Sequence, residues 1–176
     1  MIRYEPAVLA LADALRARGW KIATAESCTG GLIAAACTAV AGSSDWFERG
    51  FVTYSNDAKT ELLGVPATLI DAFGAVSAEV ACAMAEGALV HSHAHSHSNS
   101  NSHAHAHAQL AVAVTGIAGP GGGAPAKPVG TVWVALALAG GSAHAELLQL
   151  AGDRAAVREQ TVHATLARLL ARARAT

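Results

Sequence analysis

Residues 20–40, WKIATAESCTGGLIAAACTAV, constrain the chain more than any other stretch, because they leave almost no room between a strand and a helix. The segment 20–25 has strand composition, and Glu26-Ser27-Cys28-Thr29-Gly30-Gly31 leads straight into the apolar, alanine-rich run 32–40. Strand, tight turn and helix in immediate succession open an α/β unit.

The flanking segments continue that alternation. Val8, Leu11, Ala12 and Leu15 recur at helical spacing until Gly19, which predicts a helix over 6–18 with a glycine stop. Residues 47–54 (FERGFVTY) read as a strand, and Ser55-Asn56-Asp57 supplies the capping signal of a short helix. That helix carries Lys59 in its first turns and ends at Gly64 and Pro66. A further helix is expected from its N-cap Ser77 to about residue 89, with Glu79 at the end the helix dipole favours for an acid. Strands follow at 110–115 and 129–138, then a Gly140-Gly141 turn and a strand through Leu150 that closes a hairpin. Asp153 caps a long helix over 154–172, apolar at Val157, Thr161, Thr165 and Leu169, whose arginine-rich end suits the negative end of its dipole. The expected fold is therefore α/β: a three-layer α/β/α sandwich around a mixed sheet, one domain over 1–176. With 52% hydrophobic residues, a chain of this length buries roughly 70% of its unfolded surface, enough for one core.

Charge and cysteine usage exclude several classes. The net charge is −1 and its signs are interspersed, which leaves no footprint for nucleic acid or an acidic membrane. No run is long and apolar enough to span a bilayer, and the first residues lack the uninterrupted apolar core of a signal peptide. Three cysteines, Cys28, Cys37 and Cys82, are odd in number and form no CxxC pair, against both a disulfide framework and a structural zinc site. A cytoplasmic location is expected. The low-complexity tract 91–108, HSHAHSHSNSNSHAHAHA, interrupts the domain; it has little to bury and reads as a loosely ordered insertion. Its seven alternating histidines are competent ligands for zinc, nickel or copper, so adventitious divalent-metal binding stands beside a tolerated repeat expansion.

Chemistry concentrates at the first turn. A serine between a buried strand and a helix N-terminus places its hydroxyl near unsatisfied backbone N–H groups, which would stabilise an oxyanion. Ser27 is thus a candidate nucleophile; the competing reading makes Ser27 or Thr29 a helix cap. Cys28 is a rival, but His144 falls in a hairpin strand and His163 on the last helix, so a packed cysteine fits better. Lys59 is the candidate base, because the positive end of its helix and partial burial both push its pKa down from ~10.4. Its competing reading is a solvated helical lysine. Tyr54 and Ser55 would line the same site or finish a strand. The glycine-rich loop 115–123, TGIAGPGGG, has the freedom to wrap a phosphate or present amides to a developing charge. It lacks both the GK[ST] ending of a P-loop and the GxGxxG spacing of dinucleotide sites. Lys127, Arg154 and Arg158 are candidate charges for a substrate phosphate, the two arginines sharing one helix face, or else they form a solvated face.

Seven blocks in order carry a resemblance over nearly the whole chain outside the histidine tract: TAESCTGG (24–31), AGSSDWFERGFVTYSNDAK (41–59), LLGV (62–65), GAVS (74–77), AVTGIAGPGGG (113–123), KPVGTVW (127–133) and GDR..VR (152–158). The chain resembles the CinA C-terminal-domain family, the nicotinamide-nucleotide amidohydrolases. The resemblance implies deamidation of nicotinamide mononucleotide to nicotinic acid mononucleotide and ammonia in pyridine-nucleotide salvage. It implies Ser27 as nucleophile and Lys59 as its base. It further implies substrate contacts at Tyr54, Thr115 and Gly116 and a hold by the glycine-rich loop with Gly119, with no metal or organic cofactor; Thr29, Gly30, Ser55 and Arg154 complete the expected substrate-binding set. A small-molecule nucleotide is the expected partner, and homo-oligomers would match the family. Many members carry an additional N-terminal domain, absent from this sequence, so a stand-alone deamidase is expected. The alternative from another class is a non-catalytic competence- or damage-associated partner-binding module, and a third reading is a metal-storage protein built on the histidine tract.

Overall fold

The computed structural model describes residues 4–92 and 107–175. Five strands form one sheet in the order β2-β1-β3-β4-β5: β1 (Ile22–Glu26), β2 (Phe47–Val52), β3 (Leu110–Gly116), β4 (Thr131–Leu138) and β5 (His144–Gln149). β1 runs parallel to both β2 and β3, while β4 and β5 add on antiparallel as the expected hairpin. Helices α1 (Glu5–Arg18), α2 (Leu32–Thr38) and α6 (Arg154–Arg174) cover one face. Helices α3 (Asn56–Leu63), α4 (Ala67–Phe73) and α5 (Ala78–Ser92) cover the other, so the three-layer sandwich around a mixed sheet is the observed fold.

Because side chains alternate across a strand, each face is composed separately, and the two differ sharply in volume. Towards α1 and α6 point Ile22, Leu110, Val112, Val114, Val132 and Val134. Towards α5 the buried hydrophobic residues of the same strands are alanines, Ala23, Ala25, Ala111, Ala113, Ala135 and Ala137, with the partly buried Trp133 at the edge of the patch. An alanine floor lets α5 lie close to the sheet, and α5 is in turn crossed closely by α3. At the crossing stands Gly87, where an added Cβ would lie 2.1 Å from the Leu63 carbonyl oxygen at the end of α3. The height of α3 above the sheet is set by that contact.

The elements depart from the sequence expectation at one helix and at several boundaries, β1, α2 and β2 among them. α4 was not anticipated, because Gly64 and Pro66 read as the end of a helix, whereas Pro66 also stands as the N-cap of the next one. α5 continues past residue 89 to Ser92, and the first hairpin strand begins at Thr131 rather than at 129. The stems of the histidine tract meet: the Ala108 amide, on a buried residue, donates to Ser92 Oγ at 3.3 Å. Residues 93–106, and with them the loop and metal readings of the tract, lie outside the described residues. Among the described residues no helix is long and apolar enough to cross a membrane.

The connectivity decides where a site lies. From β1 the chain crosses to β2 over the α2 face; from β2 it returns past β1 to β3 over the α3–α5 face. The two crossovers diverge at β1, and in open α/β sheets such a switch point opens a crevice beyond the carboxyl ends of the strands.

Gly87→Ala tests the α3–α5 contact. Alanine is the better helix former, yet this substitution is expected to lower stability by about 1–3 kcal/mol through overpacking, read from urea denaturation midpoints.

Candidate active site

β1 ends at Glu26, and the Ser27 amide donates to the Val114 carbonyl at 3.0 Å, which carries the chain one residue past the sheet before it turns. On the other side of the crevice Ser55 caps α3, its hydroxyl accepting from the Ala58 amide at 3.0 Å. Lys59, on the first turn of that helix, therefore points back at the sheet. Its Nζ lies 3.2 Å from Ser27 Oγ and donates to the carbonyls of Thr53, Tyr54 and Ser55 at 3.0, 3.3 and 3.4 Å. The side chain is 1% exposed and no carboxylate among the described residues pairs with it.

Burial pushes the Lys59 pKa below its ordinary 10.5, with a smaller opposing influence from Cys28. The sequence pointed to the helix dipole and partial burial as joint causes; the structure makes burial the leading one and all but complete. Cys28, also buried, has its thiol pushed up to about 11, chiefly by desolvation. It is protonated at neutral pH and packs as expected of a structural cysteine.

The N-terminus of α2 corrects one expectation. Its amides are not left for an oxyanion, because the Glu26 carboxylate takes those of Gly31, Ile33 and Ala34 at 3.1, 3.0 and 2.8 Å. Gly30 and Gly31 have φ of +61° and +95°, a region that side-chain-bearing residues rarely adopt, so the turn needs both glycines. The Thr29 amide donates to no protein acceptor among the described residues, and the Cys28 amide meets only its own sulfur; these are the N–H groups next to Ser27.

A cavity of about 220 Å³ opens over the pair, at the carboxyl ends of β1, β2 and β3. Of the residues singled out in the sequence, Ser27, Lys59, Tyr54, Thr115, Gly116 and Arg154 line it, as does the rival Cys28. Thr29, Gly30, Ser55 and Gly119 do not; they build its walls. Thr29 donates its hydroxyl to Glu26 at 2.7 Å, the Gly30 amide closes the turn on the Ser27 carbonyl, and Ser55 caps α3. The Gly119 carbonyl accepts from Arg154 at 2.9 Å, and the other arm of that guanidinium donates to the Tyr54 hydroxyl at 3.0 Å. Lys127 and Arg158 spend their charge on main-chain carbonyls rather than facing the cavity. Lys127 holds Phe73 and Val76 at 3.1 and 2.8 Å, and Arg158 holds Thr29 at 2.9 Å. The sequence reading missed the lining residues Asn56, Ala75, Val76 and Ala118. Asn56 is adjacent to the capping serine and carried a signal; the alanines and valine carried none. Two larger depressions, about 510 Å³ beside Tyr4 and His163 and about 450 Å³ between α1 and the end of α6, bring no serine or cysteine to a base. Among the described residues no group of three or more His, Cys, Asp or Glu is arranged to hold a metal ion.

Comparison with known proteins converges on this site's family. The family description "CinA C-terminal domain" matches residues 5–173. The chain belongs to that family. A curated relative from Pseudomonas putida, named nicotinamide-nucleotide amidohydrolase PncC, is 52% identical over 160 residues, covering 91% of each chain. A CinA-like protein from Akkermansia muciniphila is 51% identical over 150 residues, but these are 85% of this chain and 33% of that longer protein. Among solved structures, the competence/damage inducible protein CihA from Agrobacterium tumefaciens superposes with a TM-score of 0.83 at 42% identity, covering 97% of this chain and 95% of its own.

A lysine whose pKa falls on burial destabilises the fold at every pH where the unfolded chain carries the proton, because the native state holds that proton more weakly. That cost is full below the native pKa and shrinks as pH rises towards 10.5. Lys59→Met is therefore expected to be more stable than wild type at neutral pH, with the difference narrowing as pH rises towards 10.5 in parallel urea titrations.

Proposed function

We propose that this family member hydrolyses the carboxamide of nicotinamide mononucleotide, giving nicotinic acid mononucleotide and ammonia. The observation that carries the reading is Lys59 Nζ at 3.2 Å from Ser27 Oγ inside a cavity, in a chain 52% identical to a named nicotinamide-nucleotide amidohydrolase. Neutral Lys59 takes the Ser27 proton as Oγ attacks the amide carbon. The resulting tetrahedral oxyanion finds donors in the amides of Thr29 and Cys28, which follow the nucleophile directly in the turn. Lys59, now an ammonium, returns the proton to the leaving nitrogen, which departs as ammonia. Water then adds to the acyl-enzyme with Lys59 again as base, and the acid product leaves as Ser27 regains its proton.

The cavity is small enough that only the pyridine carboxamide and its sugar need enter it. Arg154, at the rim and already oriented by Gly119 and Tyr54, is assigned to the substrate phosphate. The reaction is assigned to the cytoplasm, where the free thiols of Cys28, Cys37 and Cys82 remain reduced. A non-catalytic binding module would gain nothing from burying an unpaired lysine against a serine, because an uncompensated interior cation costs stability.

Ammonia release from the mononucleotide by purified protein is the direct test. Ser27→Ala is expected to abolish it with the fold retained, and Lys59→Ala to lower kcat at least about 10²-fold. Because the base acts in its neutral form, kcat/KM is expected to fall as pH drops through the Lys59 pKa, below the ordinary 10.5. Arg154→Ala is expected to raise KM for the mononucleotide while leaving KM for the phosphate-free nucleoside nearly unchanged. Full turnover in Ser27→Ala would defeat the mechanism.

A further inference from the structure

The turn that carries Ser27 is held by a side chain that takes no part in the bond-making steps. Glu26 is 1% exposed, and its carboxylate accepts four hydrogen bonds. Oε2 takes the Thr29 hydroxyl at 2.7 Å and the amides of Gly31 and Ile33 at 3.1 and 3.0 Å; Oε1 takes the Ala34 amide at 2.8 Å. The main chain of the same residue reaches the base. Its carbonyl accepts from the Thr53 amide at 2.8 Å, and the Thr53 carbonyl lies 3.0 Å from Lys59 Nζ. Thr29 extends the tether outward, since its carbonyl accepts from Arg158 of α6 at 2.9 Å.

We propose that Glu26 is the positioning residue of the Ser27–Lys59 pair, its buried carboxylate setting the geometry of the 27–31 turn and hence the reach of Ser27 Oγ to the base. A helix start is ordinarily closed by a short polar residue at the cap itself, which satisfies one or two amides and leaves the preceding residues free to move. Here the cap position is Gly31, with no side chain, and the acid stands one residue before the nucleophile. The carboxylate therefore spans Ser27, Cys28 and Thr29, fixing both ends of the segment that must not drift. A carboxylate is acceptor-only and has room for all four donors; a carboxamide of the same shape turns an NH2 against at least one of them. The negative charge also helps burial keep the neighbouring Cys28 a thiol, leaving the serine as the nucleophile of the cavity.

This proposal rests on Ser27 being the nucleophile, and its test separates the two. Wild type, Glu26→Gln and Thr29→Val are compared for ammonia release and for the rate at which a fluorophosphonate probe labels Ser27, with Ser27→Ala as the blank. Glu26→Gln is expected to slow both labelling and kcat at least about 10-fold, as a displaced nucleophile does. KM is expected to stay within about twofold and the acid limb of the pH profile to stay in place, since binding and the base are untouched. Thr29→Val, which removes one of the four donors, is expected to lower the same two rates by less. A folded Glu26→Gln with a lower Tm but wild-type labelling and kcat would overturn the proposal, leaving Glu26 a helix cap. If Glu26→Gln does not fold, unchanged labelling in Thr29→Val overturns it instead. Wild type that labels at Ser27 yet releases no ammonia would sink the substrate assignment, while the labelling rates would still decide the role of Glu26.

Discussion

An amine held out of water is the constraint on which the site depends. Lys59 Nζ meets Ser27 Oγ and three main-chain carbonyls, with its side chain almost wholly covered and no acid among the described residues paired with it. Burial disfavours the ammonium, while carbonyl acceptors favour it and fix its direction. The balance leaves a lysine of lowered pKa aimed at one hydroxyl, which is what a general base for serine requires. A carboxylate in the same cavity would favour the ammonium again. Glu26, the buried acid nearby among the described residues, instead spends its acceptors on the amides of α2 and on Thr29.

The two faces of the sheet divide the work that holds this arrangement. The face of large aliphatic residues, packed by α1 and α6, buries most of the apolar side-chain volume. The alanine face contributes closeness rather than volume: α5 lies low on it, α3 crosses α5 at Gly87, and Lys59 reaches the end of β1 as a result. Cations then lace the loops together through main-chain carbonyls. Lys127 ties the glycine-rich segment to the α4–α5 turn, Arg158 ties α6 to the serine turn, and Arg154 joins the glycine-rich loop to Tyr54. α6 thus braces three walls of one cavity from a single helical turn.

Much of this was legible in the chain itself. Every strand and five of the six helices among the described residues have local signatures, with capping serine and aspartate at α3 and α6 and glycine stops at α1 and α3. α4 escaped because its start and the end of α3 share the same glycine–proline signal. Six of the ten site residues named from the sequence line the cavity; Thr29, Gly30, Ser55 and Gly119 lie behind it. Those four belong to the right loops, but sequence does not say which residue of a loop faces inward. The role of Glu26 was missed for a related reason: an acid beside a helix start reads as favourable electrostatics, while its four donors are gathered only when the turn folds back over it.

The sequence by itself offered Ser27 and Lys59 as candidates, and determined the order and type of the elements other than α4 and the sandwich that follows from their alternation. Those rest on local propensity, apolar periodicity and capping, all written within a few residues of where they act. Only the tertiary structure decided that Lys59 is buried rather than solvated, that Cys28 is a protonated thiol, and that Lys127 and Arg158 brace loops instead of facing a substrate. Each of these depends on residues far apart in the chain, 32 positions in the case of Ser27 and Lys59. Desolvation and hydrogen-bond partnership are properties of the assembled neighbourhood, and no local pattern encodes them.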